Sequence, residues 1–134
     1  MTQHRFHLRV YYEDTDLAGI VYYANYLKFI ERARTEWVEA LGVDQVALKA
    51  GQGIVFAVRR VEADYLRPAK FADDLVVETK LQSLGGVRIV LEQVVLRGGE
   101  RLFASVVTLV CLTEDGHAAR LPAEVRARLS GPLH

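Results

Sequence analysis

The chain has one cysteine, three prolines and four histidines in 134 residues, and each scarcity excludes something. The lone thiol, Cys111, rules out an intrachain disulfide. Its place in the apolar run Val106–Leu112 marks it as a buried structural group rather than a nucleophile. His4 and His7 lie near a mobile N-terminal end, His117 in a turn and His134 at the C-terminus, a scatter that offers no metal cluster. Charge of one sign is not in excess: 17 basic residues balance 17 acidic ones, so nothing draws the chain to nucleic acid or an anionic membrane. No stretch reaches the length of a membrane span, and MTQHRFHLRV lacks the apolar core of a signal peptide, so a cytoplasmic protein without membrane insertion is expected. There is no Gly-rich phosphate loop and no G-x-S-x-G elbow.

What is present suits one soluble domain over residues 1–134, large enough to bury roughly 70% of its unfolded surface. Phe6–Tyr12 alternates loosely and reads as a first strand. Between Tyr26 and Leu41 the apolar positions Tyr26, Phe29, Ile30, Ala33, Trp37, Ala40 and Leu41 recur at helical spacing. Asn25 is the expected N-cap, and Gly42 the left-handed cap at the other end. Beyond a loop at Gly51–Gly53 the pattern becomes extended: Ile54–Leu66, Leu75–Leu84, Val87–Leu96 and Leu102–Leu112. Gly85-Gly86 and Gly98-Gly99 make turns between the last three, so the sheet should be antiparallel. Leu102–Leu112 is apolar on both faces, which predicts a covered, central strand. Pro122 opens a short terminal helix, and the closing SGPLH is expected to fray. The order gives an α+β class, one long helix set against a five-stranded antiparallel sheet.

The segment Tyr12–Tyr26, YEDTDLAGIVYYANY, carries the chemistry. Glu13, Asp14 and Asp16 cluster at the end of the first strand, an Ala18-Gly19 turn follows, and then the polar start of the helix. Such an arrangement aims a carboxylate and unpartnered helix-start N–H groups at one small volume. Read as a calcium loop the segment fails, because Ala18 falls where an oxygen ligand is needed and Asn25 where a glutamate is.

A strand ending in YYEDTD, a G-[IV]-V-Y turn, the NY pair and the run FIERARTEW together resemble a known family. It is the hotdog-fold acyl-CoA thioesterases of the hydroxybenzoyl-CoA thioesterase type, with the match closest to their Tol–Pal-associated branch. The resemblance is plainest from Arg9 through Glu36 and in Val58–Leu75 (VRRVEADYLRPAKFADDL), and a recognisable likeness extends over about two thirds of the chain.

This resemblance implies a hotdog fold, the long helix wrapped by the sheet, in dimers or homotetramers with active sites between subunits. It implies hydrolysis of short to medium acyl-CoA thioesters, with aromatic acyl groups or acyl carrier protein thioesters as further substrates. No cofactor is implied beyond the coenzyme A of the substrate, and no metal. Asp16 falls on the catalytic aspartate of the D-x-D-x-x-G-x-V pattern, as general base or nucleophile. The backbone N–H of Tyr23 falls on the oxyanion donor, although many members of the branch carry histidine there. Gly19, Val21, Tyr22 and Tyr26 are the expected lining of the substrate site. Glu13 and Asp14 are expected to be solvated or to position the loop, and Asp64 is a marginal candidate. Arg59, Arg60 and Arg88, with Arg67 and Lys70, are candidates for the coenzyme phosphates, although Gly85-Gly86-Val87 replaces the basic cluster of the hydroxybenzoyl enzymes. A hydratase of the same fold would need a histidine beside its carboxylate, and none occurs between His7 and His117. The alternative to an enzyme is a non-catalytic hotdog binding protein serving phospholipid or envelope machinery.

Overall fold

The computed structural model describes residues 3–131, so Pro132–His134, with His134 and most of the expected frayed end, lie outside the description. Five strands form one antiparallel sheet: β1 (His4–Arg9), β2 (Ile54–Tyr65), β3 (Asp74–Leu84), β4 (Arg88–Arg97) and β5 (Glu100–Thr113). Their spatial order is β1-β3-β4-β5-β2, so β1 and β2 are the edges. The hairpins expected at both Gly-Gly pairs are there. Gly98 and Gly99 both take positive φ, which no branched side chain tolerates well.

Helix α1 (Asn25–Ala40) buries Tyr26, Phe29, Ile30, Ala33, Trp37 and Val38. It packs on β3, β1 and β4, whose inward residues include Leu75, Val77, Leu91 and Val95. A small polar set centred on Gln93 sits in this interface. Gln93 is fully buried, and its Nε2 donates to the Ile30 carbonyl and to Thr79 Oγ1, both at 2.9 Å. Its Oε1 accepts from Arg34 Nη1 at 3.0 Å. A buried amide left unpaired would cost about 1–3 kcal/mol, so this satisfied set fixes how the helix lies on the sheet.

Several expectations need correction. The first strand stops at Arg9 rather than Tyr12, because its pairing with β3 ends at Arg9 opposite Asp74. Val10 then bonds the Asp73 carbonyl, and Tyr12–Asp14 turns as a 3-10 helix. His4 and His7 belong to β1 and its ladder rather than to a mobile end. Asn25 is the first helical residue, not the cap; Ala24 precedes it in the right-handed helical region without a capping side chain. Gly42 does take the left-handed conformation, at φ 84°.

Residues 45–52 form a helix, α2, that the sequence pattern did not announce. Asp44 caps it, accepting from the Ala47 N–H at 3.0 Å, and Gly53 ends it at φ 65°. Helix α3 (Ala123–Ser130) follows Pro122 as expected. Strand β5 is interior, with Phe103, Ser105, Val107, Leu109 and Cys111 buried on one face. The other face, from Ala104 to Val110, is only half-buried.

Candidate functional site

The loop between β1 and α1 is closed by its own polar groups. The Asp14 carbonyl accepts from the Tyr22 N–H and from Asn25 Nδ2, both at 2.9 Å. The Asp14 carboxylate takes the Tyr11 N–H at 2.9 Å. Asp14 therefore joins the two ends of the loop, and Glu13 stays exposed beside it. Inside this frame, Asp16 Oδ1 accepts from the Ala18 N–H at 3.0 Å, and the Asp16 carbonyl accepts from Gly19 at 2.9 Å. Among the described residues Oδ2 has no protein partner, and Asp16 is exposed. Gly19 has φ 82°, and an added Cβ would meet nothing within 4 Å. Glycine is needed there for its dihedral, not for space.

The next turn aims a free donor. The Tyr22 carbonyl accepts from the Asn25 N–H at 2.8 Å, which fixes the peptide plane carrying the Tyr23 N–H. That N–H has no acceptor among the described residues. It lies two residues before α1, where helix-start donors point outward without partners.

Beside it opens a cleft of about 290 Å³, lined by Ile20, Val21, Tyr23, Tyr26, Tyr65 and Pro68 among others. Tyr26 is 3% exposed and stacks on Phe103 with centroids 5.0 Å apart. Its hydroxyl accepts the Ala69 N–H at 3.1 Å, so it is both core and cleft wall. Burial pushes its phenol up from the usual value. A second cleft, about 220 Å³, lies between α2 and α3 near Gly42, Asp44 and Arg128 and holds none of the candidate residues.

The far wall of the first cleft is the loop from Leu66 to Asp73. Val21 bonds the Ala69 carbonyl at 2.9 Å and Ile20 bridges Lys70. Arg97 Nη1 reaches the Pro68 carbonyl at 3.2 Å and the Asp73 carboxylate at 2.8 Å. Burial pushes the Asp73 carboxyl up, but the Lys70 N–H and the Arg97 guanidinium together outweigh it and hold the group below its usual value.

The fold thus brings Val21, Tyr23 and Tyr26 together as lining of one cleft. Asp16 and Gly19 lie on the exposed turn just before it and do not line it; the Asp16 N–H bonds the carbonyl of the lining residue Ile20 at 2.9 Å. Tyr22 is exposed and packs against the Tyr23 ring at 5.0 Å without lining the cleft. Arg67 lines it, with Nε held by Glu100 at 3.1 Å, and Lys70 follows nearby. Arg59 and Arg60 sit at a bulge of β2, about 17 Å along the strand from Tyr65, and Arg60 pairs with Glu62. Arg88 pairs with Val110, about 23 Å along β5 from the Phe103 beside the cleft. Within one chain, these three arginines do not meet Asp16. Asp64 precedes Tyr65 on β2 and by alternation faces away from the cleft.

Sequence reasoning missed Tyr65, Pro68, Asp73 and Arg97. All but Arg97 lie in the Val58–Leu75 segment, where an aromatic residue ending a strand just before a proline was the available signal. Among the described residues, no group of three or more His, Cys, Asp or Glu side chains could hold a metal ion. Among the same residues no helix is long and apolar enough to cross a membrane.

Residues 18–104 match the model of the thioesterase superfamily. The acyl-CoA thioesterase YbgC of Haemophilus influenzae is 42% identical over 107 residues, covering 80% of this chain and 79% of that one. A probable thioesterase from Bartonella henselae superposes with a TM-score of 0.87 at 36% identity, over 90% of this chain and 100% of the other. A 4-hydroxybenzoyl CoA thioesterase mutant complexed with 4-hydroxybenzoyl CoA gives a TM-score of 0.90 over 96% of this chain and 99% of that one. At 23% identity that last likeness is one of fold alone. With the five-stranded antiparallel sheet, its long helix and the matched residues all agreeing, the chain belongs to the thioesterase superfamily of hotdog proteins.

Proposed function

We propose that the protein is an acyl-CoA thioesterase, cleaving short to medium acyl-CoA to the free acid and coenzyme A. Aromatic acyl groups and acyl carrier protein thioesters are further candidates. One observation carries the reading: Asp16, an exposed carboxylate with an oxygen free among the described residues, and the Tyr23 N–H, unpartnered among them, belong to the same pinned loop beside an apolar cleft. The relative in Haemophilus influenzae, named as an acyl-CoA thioesterase, supports the same substrate class.

A thioester asks little of its hydrolase. The thiol leaves near pKa ~8.5, so the thiolate departs without a strong acid. The carbonyl needs an attacking oxygen and a place for negative charge. Asp16 Oδ2 supplies the first, either by taking a proton from water as it attacks or by attacking itself. The second route forms an anhydride that water then opens. The Tyr23 N–H receives the carbonyl oxygen as it becomes an oxyanion. In both routes a C–O bond replaces the C–S bond and coenzyme A leaves as thiolate. Neither uses a metal or a cofactor.

The working form is proposed to be a homo-oligomer, dimer or tetramer, with sites at subunit interfaces. Strand β2 supports this, since it is a twelve-residue edge whose residues from Val58 onward are all exposed. Val58, Val61 and Tyr65 lie on it, and Leu66 and Phe71 follow, all exposed. An unpaired edge of this length, with exposed apolar side chains set among Arg59, Arg60, Glu62 and Asp64, offers its backbone to another strand. The proposed compartment is the cytoplasm, where acyl-CoA is metabolised.

The test is release of free coenzyme A from a panel of acyl-CoAs by wild type, Asp16→Ala and Asp16→Asn. Both variants should lose about a hundred- to ten-thousandfold in kcat while staying folded. A wild type that releases no thiol from any of them moves the reading to acyl carrier protein substrates or to a non-catalytic binding role.

A further inference from the structure

Tyr65 is the last residue of β2 and is paired with Phe103. Its ring is boxed edge-on by Phe103 at 5.1 Å, Tyr26 at 5.6 Å and Tyr23 at 6.1 Å. Tyr26 and Phe103 are buried and stacked, so the box has a rigid floor. The chain leaving Tyr65 is also fixed, because Leu66 and Arg67 both donate to the Leu102 carbonyl, at 2.8 and 3.1 Å. Held this way, the Tyr65 hydroxyl donates to the carbonyl of Tyr23 at 3.0 Å. Burial and the neighbouring Tyr23 push this phenol up from its usual value, so it keeps the proton it donates.

The bond matters because of what the other groups of the turn do. The Tyr22 N–H is taken by Asp14, the Tyr22 carbonyl by Asn25, and the Ala24 carbonyl by Leu27. These fix the peptide planes on either side of the Tyr23 residue except one, the plane formed by the Tyr23 carbonyl and the Ala24 N–H. Tyr65 closes that gap. With both planes held, the backbone dihedrals of Tyr23 have no freedom left, and neither has the direction of its N–H.

We infer that Tyr65 is a positioning residue for the oxyanion donor, acting through its hydroxyl on the Tyr23 carbonyl. The inference rests on the proposed role of the Tyr23 N–H. Tyr23 is exposed, so water can replace the lost hydroxyl. The bond therefore contributes little to folding, and its effect belongs to the alignment of the N–H.

The experiment compares wild type, Tyr65→Phe and Tyr65→Leu in two assays. The first is steady-state hydrolysis of an acyl-CoA that wild type cleaves. The second is the infrared carbonyl stretch of a bound ketone analogue, in which a methylene replaces the thioester sulfur. Tyr65→Phe should lose about ten- to a hundredfold in kcat, with KM and melting temperature near wild type. The carbonyl stretch, lowered on binding to wild type, should move back up, a change that simple structural support would not produce. Wild-type kcat and an unshifted band in Tyr65→Phe overturn the inference. So does a loss confined to Tyr65→Leu, which assigns the effect to the ring. A wild type that cleaves no acyl-CoA removes the hydrolase reading and this inference with it.

Discussion

Arg97 Nη1 binds the Asp73 carboxylate at 2.8 Å, and so the end of β4 holds the loop that forms one wall of the cleft. Asp73 also accepts the Lys70 N–H at 2.8 Å. Within this loop Ala72 sits at φ 71°, a conformation a non-glycine residue holds only when its surroundings impose it. The pair has a pH signature. Asp73 is held below its usual value in the fold, so its stabilising effect is complete above the unfolded pKa and fades as pH falls through the folded one. Wild type should therefore lose melting temperature below about pH 4, and Asp73→Asn should lose less over that range. Arg97→Ala should cost about 1–2 kcal/mol at neutral pH and raise KM, because the wall it supports is loosened. Thermal melts from pH 2 to 7 check both. A parallel acid slope in wild type and Asp73→Asn would remove the carboxylate from the explanation.

The Tyr26 hydroxyl serves the same loop from inside. It is the acceptor of the Ala69 N–H, and Ala69 is fully buried. Tyr26→Phe leaves that donor without a partner and without water, at a cost of about 1–3 kcal/mol. Chemical denaturation should show a lower midpoint with an unchanged slope. A Tyr26→Phe protein as stable as wild type would mean that the loop repacks to satisfy Ala69.

How much of this was visible in the sequence depends on how far apart the partners lie. Residues 12–26 contain their own frame, with Asp14, Asp16, Gly19 and Tyr23 close along the chain. Their arrangement could therefore be read from the order of residue types. The hairpins at Gly85-Gly86 and Gly98-Gly99 were legible for the same reason. Tyr65 meets Tyr23 from 42 residues away and Arg97 meets Asp73 from 24 residues away. No local pattern announces such pairs. Helix α2 was hidden for a different reason: it is only eight residues long and buries only Leu48, too short a window for a helical period to register. Tyr11 and Tyr12 extended the apparent first strand because their alternation continues where the pairing with β3 has already ended.

Gly19→Ala isolates backbone strain from crowding. An added methyl has room, but φ 82° lies where an L side chain is disfavoured by about 1–2 kcal/mol. The loop should relax, and Asp16 should lose its alignment with the Tyr23 N–H. A drop of about tenfold or more in kcat is expected, with the helical circular dichroism signal unchanged. Activity at the wild-type level would show that the left-handed turn is dispensable.

Cys111 should behave as an inert thiol. It is fully buried, and burial pushes its pKa up to about 11. Thiol reagents should label it only under denaturing conditions, and treatment of the folded protein should leave activity intact. Its raised pKa also sets an alkaline limit. The contribution is complete below the unfolded thiol value near 9 and is lost as pH rises toward about 11. Cys111→Ala should flatten the stability curve over that window. Rapid labelling of the native protein at pH 7 would contradict the burial on which this rests.

The exposed edge of the sheet gives the remaining prediction, and it tests the assembly directly. Val61 lies mid-way along β2, is 37% exposed, and pairs on its inner side with Val107 of β5. If two copies join through β2, an antiparallel pairing brings the middle of each edge strand against its own copy. Val61→Lys then sets like charges face to face, the device by which natural edge strands avoid pairing. Sedimentation velocity should show the oligomer falling to monomer at micromolar concentration, with the melt of the isolated fold still cooperative. Thioester hydrolysis should fall at least about tenfold, because a site built between subunits loses one of its walls. A Val61→Lys protein that keeps both its oligomeric mass and its activity would place the subunit contact elsewhere. A monomer that keeps full activity would show instead that Asp16, Tyr23 and the cleft of one chain suffice.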